Sequence, residues 1–332
     1  MLRIGKLNKK AEGKPIARVV GGKHDGSVIY LIADDIDALP VEREEKLDFI
    51  ADEVEDKEIR SLAESFLGCK LSKLYSSRAS ANLIELIKQN LIDDNKTLVT
   101  KLPVDASIKE LYDYLYEYFN NQCAKSIFIS DGIIQQICEP KVSLRQYVAG
   151  PSESGKSYYA SNLIREYRKV NPSNKIYLFS DVLVDDQLDK LGVIRVKLDQ
   201  SLVDEPIESK ELKDSLCIFD DVDSITDKNI KKSVAVLRDA MLTRGRHDNI
   251  STLSTLHTLT NSKETKIILN ESNFITLFPK ASSKMSITYI LQQYCGMDQD
   301  EIRDVLKIKT RWITYSKQYP RYVMHQNGIK LL

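Results

Sequence analysis

Gly150-Pro151-Ser152-Glu153-Ser154-Gly155-Lys156-Ser157 is the stretch from which the rest of the chain can be read. It is a complete G-x-x-x-x-G-K-S. The apolar run Leu144 to Ala149 before it predicts a strand, and Lys156 to Val170 after it predicts a helix. A loop so placed turns backbone N–H groups and a helix N-terminus toward one point, which suits a polyphosphate. Glycines at 150 and 155 permit backbone conformations and close approaches that side chains would obstruct. Lys156 is expected to reach the β and γ phosphates, and the Ser157 hydroxyl to ligate magnesium carried in by the nucleotide. The expected lining of this site is Gly150, Pro151, Ser152, Glu153, Ser154, Gly155, Lys156, Ser157 and Tyr158, with ATP and Mg2+ as cofactors.

Downstream, short apolar runs alternate with helical patterns. Strands are expected at Lys175–Ser180, Val193–Leu198, Ser215–Phe219, Ile250–Leu256 and Asn273–Phe278. Helices are expected at Lys228–Leu242, Lys284–Tyr294 and Asp298–Lys307, with a closing hairpin from Arg311–Ser316 and Arg321–His325. Such alternation calls for an α/β fold, a mainly parallel sheet with helices on both faces.

Upstream the style differs. Ile16–Val20 and Ser27–Ile32, joined by Gly-Gly-Lys-His-Asp-Gly, predict a β-hairpin; its glycines join two strands rather than opening a helix, so phosphate binding is not expected there. An acidic amphipathic helix is expected between Asp34 and Arg60, further helices at Ser80–Leu91 and Ser107–Phe119, and a strand at Lys125–Ser130. Residues 1–140 therefore form the expected N-terminal α+β domain and 141–332 the P-loop domain, with Glu139-Pro140 marking the change.

A second constellation lies at Leu216-Cys217-Ile218-Phe219-Asp220-Asp221, four apolar residues ending in two acids. A buried parallel strand would deliver these carboxylates at its C-terminal edge, where open α/β sheets bind ligands. Asp220 is the candidate on the magnesium side and Asp221 the candidate for polarising an attacking water. Asp223 reads as a bystander or a helix cap.

His257 follows the run Ile250–Leu256. If that strand lies between the loop strand and the acid strand, His257 touches the γ-phosphate or its water; otherwise it is a loop histidine bonding locally. Arg244 and Arg246 flank a glycine and are expected near the same sheet edge, either as an arginine finger acting on a neighbouring subunit or as solvated surface charge. Lys263, Lys266, Lys280 and Lys284 form either a basic stripe or dispersed surface charge.

Composition bounds these readings. The 332 residues give room for two average domains, and 42% hydrophobic with 29% charged residues excludes collagen-like and wholly disordered chains. With 48 basic and 48 acidic residues, any nucleic-acid surface must be local. The cysteines Cys69, Cys123, Cys138, Cys217 and Cys295 form no C-x-x-C pair, so all are expected as free thiols in a reducing compartment without a zinc site. No run of residues is long and apolar enough to span a bilayer, and Met1 to Lys10 is too polar for a signal peptide; a soluble intracellular protein is expected.

Gly-Pro-Ser-x-Ser-Gly-Lys-Ser, Phe-Asp-Asp, and the Arg-Gly-Arg turn leading into a polar-ended strand together resemble the FtsK/HerA superfamily of P-loop ATPases. Within it the likeness is to the A32-like genome-packaging ATPases of large DNA viruses, over roughly residues 143 to 295. The resemblance implies the additional-strand type of P-loop fold, a homo-oligomeric ring with nucleotide between subunits, and ATP-driven movement of double-stranded DNA without sequence preference. It also implies capsid proteins as partners and assembly sites in the host cytoplasm as the location. The chain departs from the family at His257, where a glutamine is usual, and at Thr265–Asn270, where Lys266 stands in place of an arginine. Two other functions fit the same loop: a small-molecule or nucleoside kinase, and a nucleotide-gated assembly or virion protein with weak hydrolysis.

Overall fold

The computed structural model describes residues 2–5, 13–31, 126–129, 131–139, 142–260 and 264–332. The expected acidic helix and the helices at Ser80–Leu91 and Ser107–Phe119 lie outside these residues, as do Cys69, Cys123 and Lys263. The chain divides into two compact units, Met1–Lys14 with Tyr30–Ile127, and Pro15–Ile29 with Phe128–Leu332. Along the first part of the chain run β1 (Leu2–Gly5), β2 (Lys14–Val20), β3 (Val28–Leu31) and β4 (Ser126–Phe128). The expected hairpin is present: Val19 N–H donates to the Ser27 carbonyl, and Gly21, Gly22 and Gly26 take the positive φ the turn requires. β2 pairs antiparallel with β5 (Ile133–Gln136), Ala17 opposite Gln136.

The larger sheet is built from β6 (Arg145–Ala149), β7 (Lys175–Ser180), β8 (Ile194–Val196), β9 (Ser215–Asp220), β10 (Ile250–Leu256), β11 (Phe274–Leu277), β12 (Ile313–Ser316), β13 (Tyr322–His325) and β14 (Gly328–Leu331). Its order is β14-β13-β12-β11-β6-β10-β9-β7-β8. β11, β6, β10, β9, β7 and β8 run parallel, and β12, β13 and β14 continue the sheet antiparallel. The helices are α1 (Lys156–Val170), α2 (Ser201–Asp204), α3 (Lys228–Arg244), α4 (Lys266–Glu271), α5 (Lys284–Cys295) and α6 (Gln299–Lys307).

Helices cover both faces, as the alternation along the strands shows. Every residue of β9 and β10 is buried, as expected of parallel strands packed on two sides. Tyr147, Cys217, Phe219 and Ile275 face one core with Leu237 and Met241 of α3, Ile268 of α4, Ile287 and Leu291 of α5 and Ile302 of α6. Gln146, the neighbour of Tyr147, points the other way and bonds the hydroxyl of Tyr159 on α1. Leu163, Ile164 and Tyr167 of α1 are buried there.

Elements β1, β5, β14, α2 and α4 were not expected, and two of them show why. Thr265–Asn270 reads as the approach to a strand, yet α4 forms because Ile268 and Leu269 can then enter the core together. β14 is only Gly-Ile-Lys-Leu, too short to announce itself before its pairing with β13 is known. The cap of α3 is Asp227, whose carboxylate accepts from the N–H groups of Asn229 and Ile230; Asp223 is not that cap. Cys138, Cys217 and Cys295 are free and buried. Among the described residues no helix is long and apolar enough to cross a membrane.

Candidate nucleotide and catalytic site

The loop from Gly150 to Gly155 connects the end of β6 to the start of α1, and three features fix its shape. Gly150 N–H donates 3.1 Å to the Leu256 carbonyl, tying the loop to the end of β10. Gly155 has φ +107° and Glu153 φ +63°. Gly150 is packed so closely that a Cβ there would come within 2.8 Å of Phe278 Cδ2 and Ser154 Oγ. A Cβ on Gly155 would approach Arg311 Nε to 3.0 Å as well as forcing an unfavourable backbone. Gly155→Ala is therefore expected to destabilise the protein by about 1–3 kcal/mol, measured by denaturant unfolding.

Lys156 folds back over its own loop. Only 7% exposed, its Nζ donates to the carbonyls of Gly150 (2.9 Å) and Pro151 (3.4 Å). The same ammonium lies 3.0 Å from His257 Nδ1 and 3.9 Å from Asp221 Oδ1. Burial lowers its pKa, while Asp221, Asp220 and Asp223 pull it back up.

The two acids arrive on β9. Phe219 and Asp220 sit beside Ser254 and Thr255 of β10, and Leu256 sits beside Ala149 of β6, so the loop and the acids emerge at one edge on either side of β10. Asp220 is 6% exposed, receives hydrogen bonds from Thr255 Oγ1 and, at 3.3 Å, from Ser180 Oγ, and has its pKa raised chiefly by burial. Asp221 leaves the strand with φ +46°, a conformation that aspartate tolerates better than most residues, and its N–H donates 3.0 Å to the Thr255 carbonyl. Burial, reinforced by Asp220, pushes its pKa up to about 6 against the opposing pull of Lys156 and His257. Asp221 Oδ1 is buried without a hydrogen-bond donor, as is the hydroxyl of Ser154 in the loop.

His257 completes the cluster, its Nε2 2.9 Å from Asp221 Oδ2. With Nδ1 accepting from Lys156, the ring carries its proton on Nε2 and donates it to Asp221. Tyr147, whose hydroxyl donates to the carbonyls of Thr258 and Leu259, pins the turn that holds it.

The structure thus brings Lys156, Asp220, Asp221 and His257 together with Gly150–Ser157. Tyr158 stands outside that cluster, exposed on the first turn of α1. Arg244 and Arg246 are not near this edge, contrary to expectation. Both are exposed and precede Ile250, at the N-terminal end of β10, whereas the site lies beyond its C-terminal residue Leu256. The seven residues of β10 rise about 3.3 Å each, so one subunit cannot deliver these arginines to its own loop.

Three contributors carried no signal in isolation. Ser180 and Thr255 bond Asp220 only because β7, β9 and β10 register them side by side. Arg311, at the approach to β12, donates from Nε to the Ser154 carbonyl at 3.0 Å.

The donor set fits a magnesium nucleotide. The glycine cradle has no room for side chains, and the buried Lys156 and the partnerless Ser154 hydroxyl are groups that phosphate oxygens would satisfy. Among the described residues no group of three or more His, Cys, Asp and Glu side chains is placed to hold a metal ion by itself.

Strand order, crossover helix and loop define an α/β protein of the P-loop class with a strand inserted between the loop strand and the acid strand. No protein-family model matches the chain. It is 41% identical over 188 residues to the uncharacterized protein V3 of Sputnik virophage, spanning 56% of this chain and 76% of that one, and it belongs to the same family. Among solved structures it is similar to the genome packaging NTPase B204 of Sulfolobus turreted icosahedral virus 2 in complex with AMPPCP. That likeness has TM-score 0.40 and 13% identity, over 58% of this chain and 98% of the other. It is also similar to the pCW3 conjugation coupling protein TcpA, with TM-score 0.39 and 12% identity over 61% and 66% of the two chains.

Proposed function

We propose that this protein is an ATP-hydrolysing motor that moves double-stranded DNA and packages a viral genome into its capsid. The observation that carries the reading is the convergence of Lys156 with Asp220 and Asp221 across the end of β10, beside a glycine loop that opens a helix. Loop N–H groups hold the phosphates, and Lys156 exchanges its carbonyl partners for β- and γ-phosphate oxygens. Ser157 and Asp220 would hold the nucleotide's magnesium, which would supply neutralisation of phosphate charge. Asp221 orients the attacking water and takes up its proton, while His257 holds the carboxylate in place. Hydrolysis is accelerated mainly by positioning and preorganised charge.

Arg244 and Arg246, remote from their own loop, act on the nucleotide of a neighbouring copy in a ring. Exposed Lys266, Lys280 and Lys284 grip duplex DNA through its phosphates, a contact that is blind to sequence and weakened by salt. The virophage relative supports a viral setting, and assembly sites in the host cytoplasm, with capsid proteins as partners, follow from the same reading.

Steady-state ATP turnover with and without long duplex DNA tests the proposal. Stimulation by several-fold, lost as salt is raised, is expected. DNA-independent transfer of phosphate to an added acceptor would make the protein a kinase, and tight binding without turnover would make it a nucleotide-gated assembly protein.

A further inference from the structure

Glu153 and Gly155 both take left-handed conformations, at φ +63° and +107°. Residues of that hand in a tight turn direct successive N–H groups to one side. The carbonyls face the other side, because a trans peptide sets its C=O opposite its N–H. Arg311 stands there. Its Nε donates to the Ser154 carbonyl at 3.0 Å and its Nη2 to the Glu153 carbonyl at 3.5 Å. A Cβ on Gly155 would meet Nε, Cζ and Nη2 of Arg311 at 3.0, 3.2 and 3.3 Å, so the guanidinium lies against the bare face of that glycine.

The arginine is itself braced. Its backbone N–H donates 2.9 Å to Oε1 of Gln326, in the turn between β13 and β14. The buried Thr310 hydroxyl beside it donates 3.0 Å to the Trp312 carbonyl, and the Trp312 ring packs edge-on against Tyr159 of α1, centroids 5.0 Å apart.

We infer that Arg311 is a positioning residue for the phosphate loop, keeping the cradle in its phosphate-binding shape before any nucleotide arrives. The inference rests on the phosphate-loop reading and gives the antiparallel extension of the sheet a part in it. With the Ser154 carbonyl held outward, the Gly155 N–H of the same peptide is held inward. A cation on that carbonyl also polarises the amide and strengthens its N–H as a donor. Glutamate keeps a left-handed backbone only where its surroundings enforce it, and the bonds from Arg311 are among the contacts that do so here. Without the guanidinium, phosphate would have to order the loop as it binds, and that ordering is subtracted from affinity.

Calorimetry with magnesium ATP and with magnesium tripolyphosphate, on the full chain and on Arg311→Ala, Arg311→Lys and Gln326→Leu, tests this. In Arg311→Ala the dissociation constants of both ligands are expected to rise by the same factor, about tenfold, with the number of sites per chain unchanged. Lysine keeps the charge but not the fork, so Arg311→Lys should fall between. Gln326→Leu loosens the anchor alone and should give a smaller rise in the same direction, which keeps the test decisive should Arg311→Ala fail to fold. A merely structural role would instead lower the number of sites and leave the affinity of those remaining as it was. That result, an unchanged tripolyphosphate affinity in Arg311→Ala and Gln326→Leu, or a loss confined to ATP, would overturn the inference and leave the phosphate loop standing. Failure of the wild-type chain to bind either ligand would overturn both.

Discussion

Lys156→Ala is expected to reduce ATP turnover by about 10²–10³-fold or more and to weaken nucleotide binding. The side chain has no other occupation: it is 7% exposed and packed over the loop, and its partners are the Gly150 and Pro151 carbonyls, His257 and Asp221. Its desolvated charge is kept by the neighbouring acids, which offset the effect of burial on its pKa. A phosphate oxygen arriving at that point meets a cation already stripped of water, and such charges act more strongly than exposed ones. A steady-state assay reads the effect, and wild-type turnover in the variant would remove the basis for the phosphate site.

Asp221→Asn is expected to lower kcat by about 10²–10⁴-fold, the range for loss of a positioned acid or base. Asparagine tolerates the positive φ of residue 221, so the loss reflects the carboxylate and not the backbone. The pH profile supplies a second readout. With a pKa of about 6 in the folded protein, Asp221 is ionised only above that value, so kcat/KM should fall on an acidic limb near pH 6 that the variant lacks. Stability moves the opposite way. A carboxyl whose folded pKa is raised binds its proton more tightly folded than unfolded, so stability falls as pH rises from the unfolded value through about 6. The ionised group is thus a burden at neutral pH. Ligand-free Asp221→Asn should be more stable than wild type at pH 7 by on the order of 1–2 kcal/mol, seen as a higher Tm.

The loop and the acid pair were legible because each is written in consecutive residues. G-x-x-x-x-G-K-S needs only a strand before it and a helix after it, and the bounds of α1, β7 and β10 coincide with the expected Lys156–Val170, Lys175–Ser180 and Ile250–Leu256. His257 was legible conditionally: its value depended on β10 lying between β6 and β9, which it does. The edge assigned to Arg244 and Arg246 failed because closeness in sequence to β10 was taken for closeness to the site. A residue that precedes a parallel strand lies at the edge opposite the one where loop and acids emerge. Ser180, Thr255 and Arg311 needed register or tertiary contact. Arg311 meets the Ser154 carbonyl across 157 positions of sequence, a contact no local pattern encodes.

The central claim is that the loop ending at Lys156 and Ser157 holds a triphosphate facing Asp220 and Asp221. A structure of the full chain determined with magnesium and a non-hydrolysable ATP analogue tests it most directly. The account predicts β- and γ-phosphates on the N–H groups of the loop, Lys156 Nζ moved from the Gly150 carbonyl and His257 onto phosphate oxygens, and the metal between Ser157 and Asp220. An analogue bound at saturation elsewhere on the protein, with Lys156 still bonded to Gly150 and His257, would contradict it.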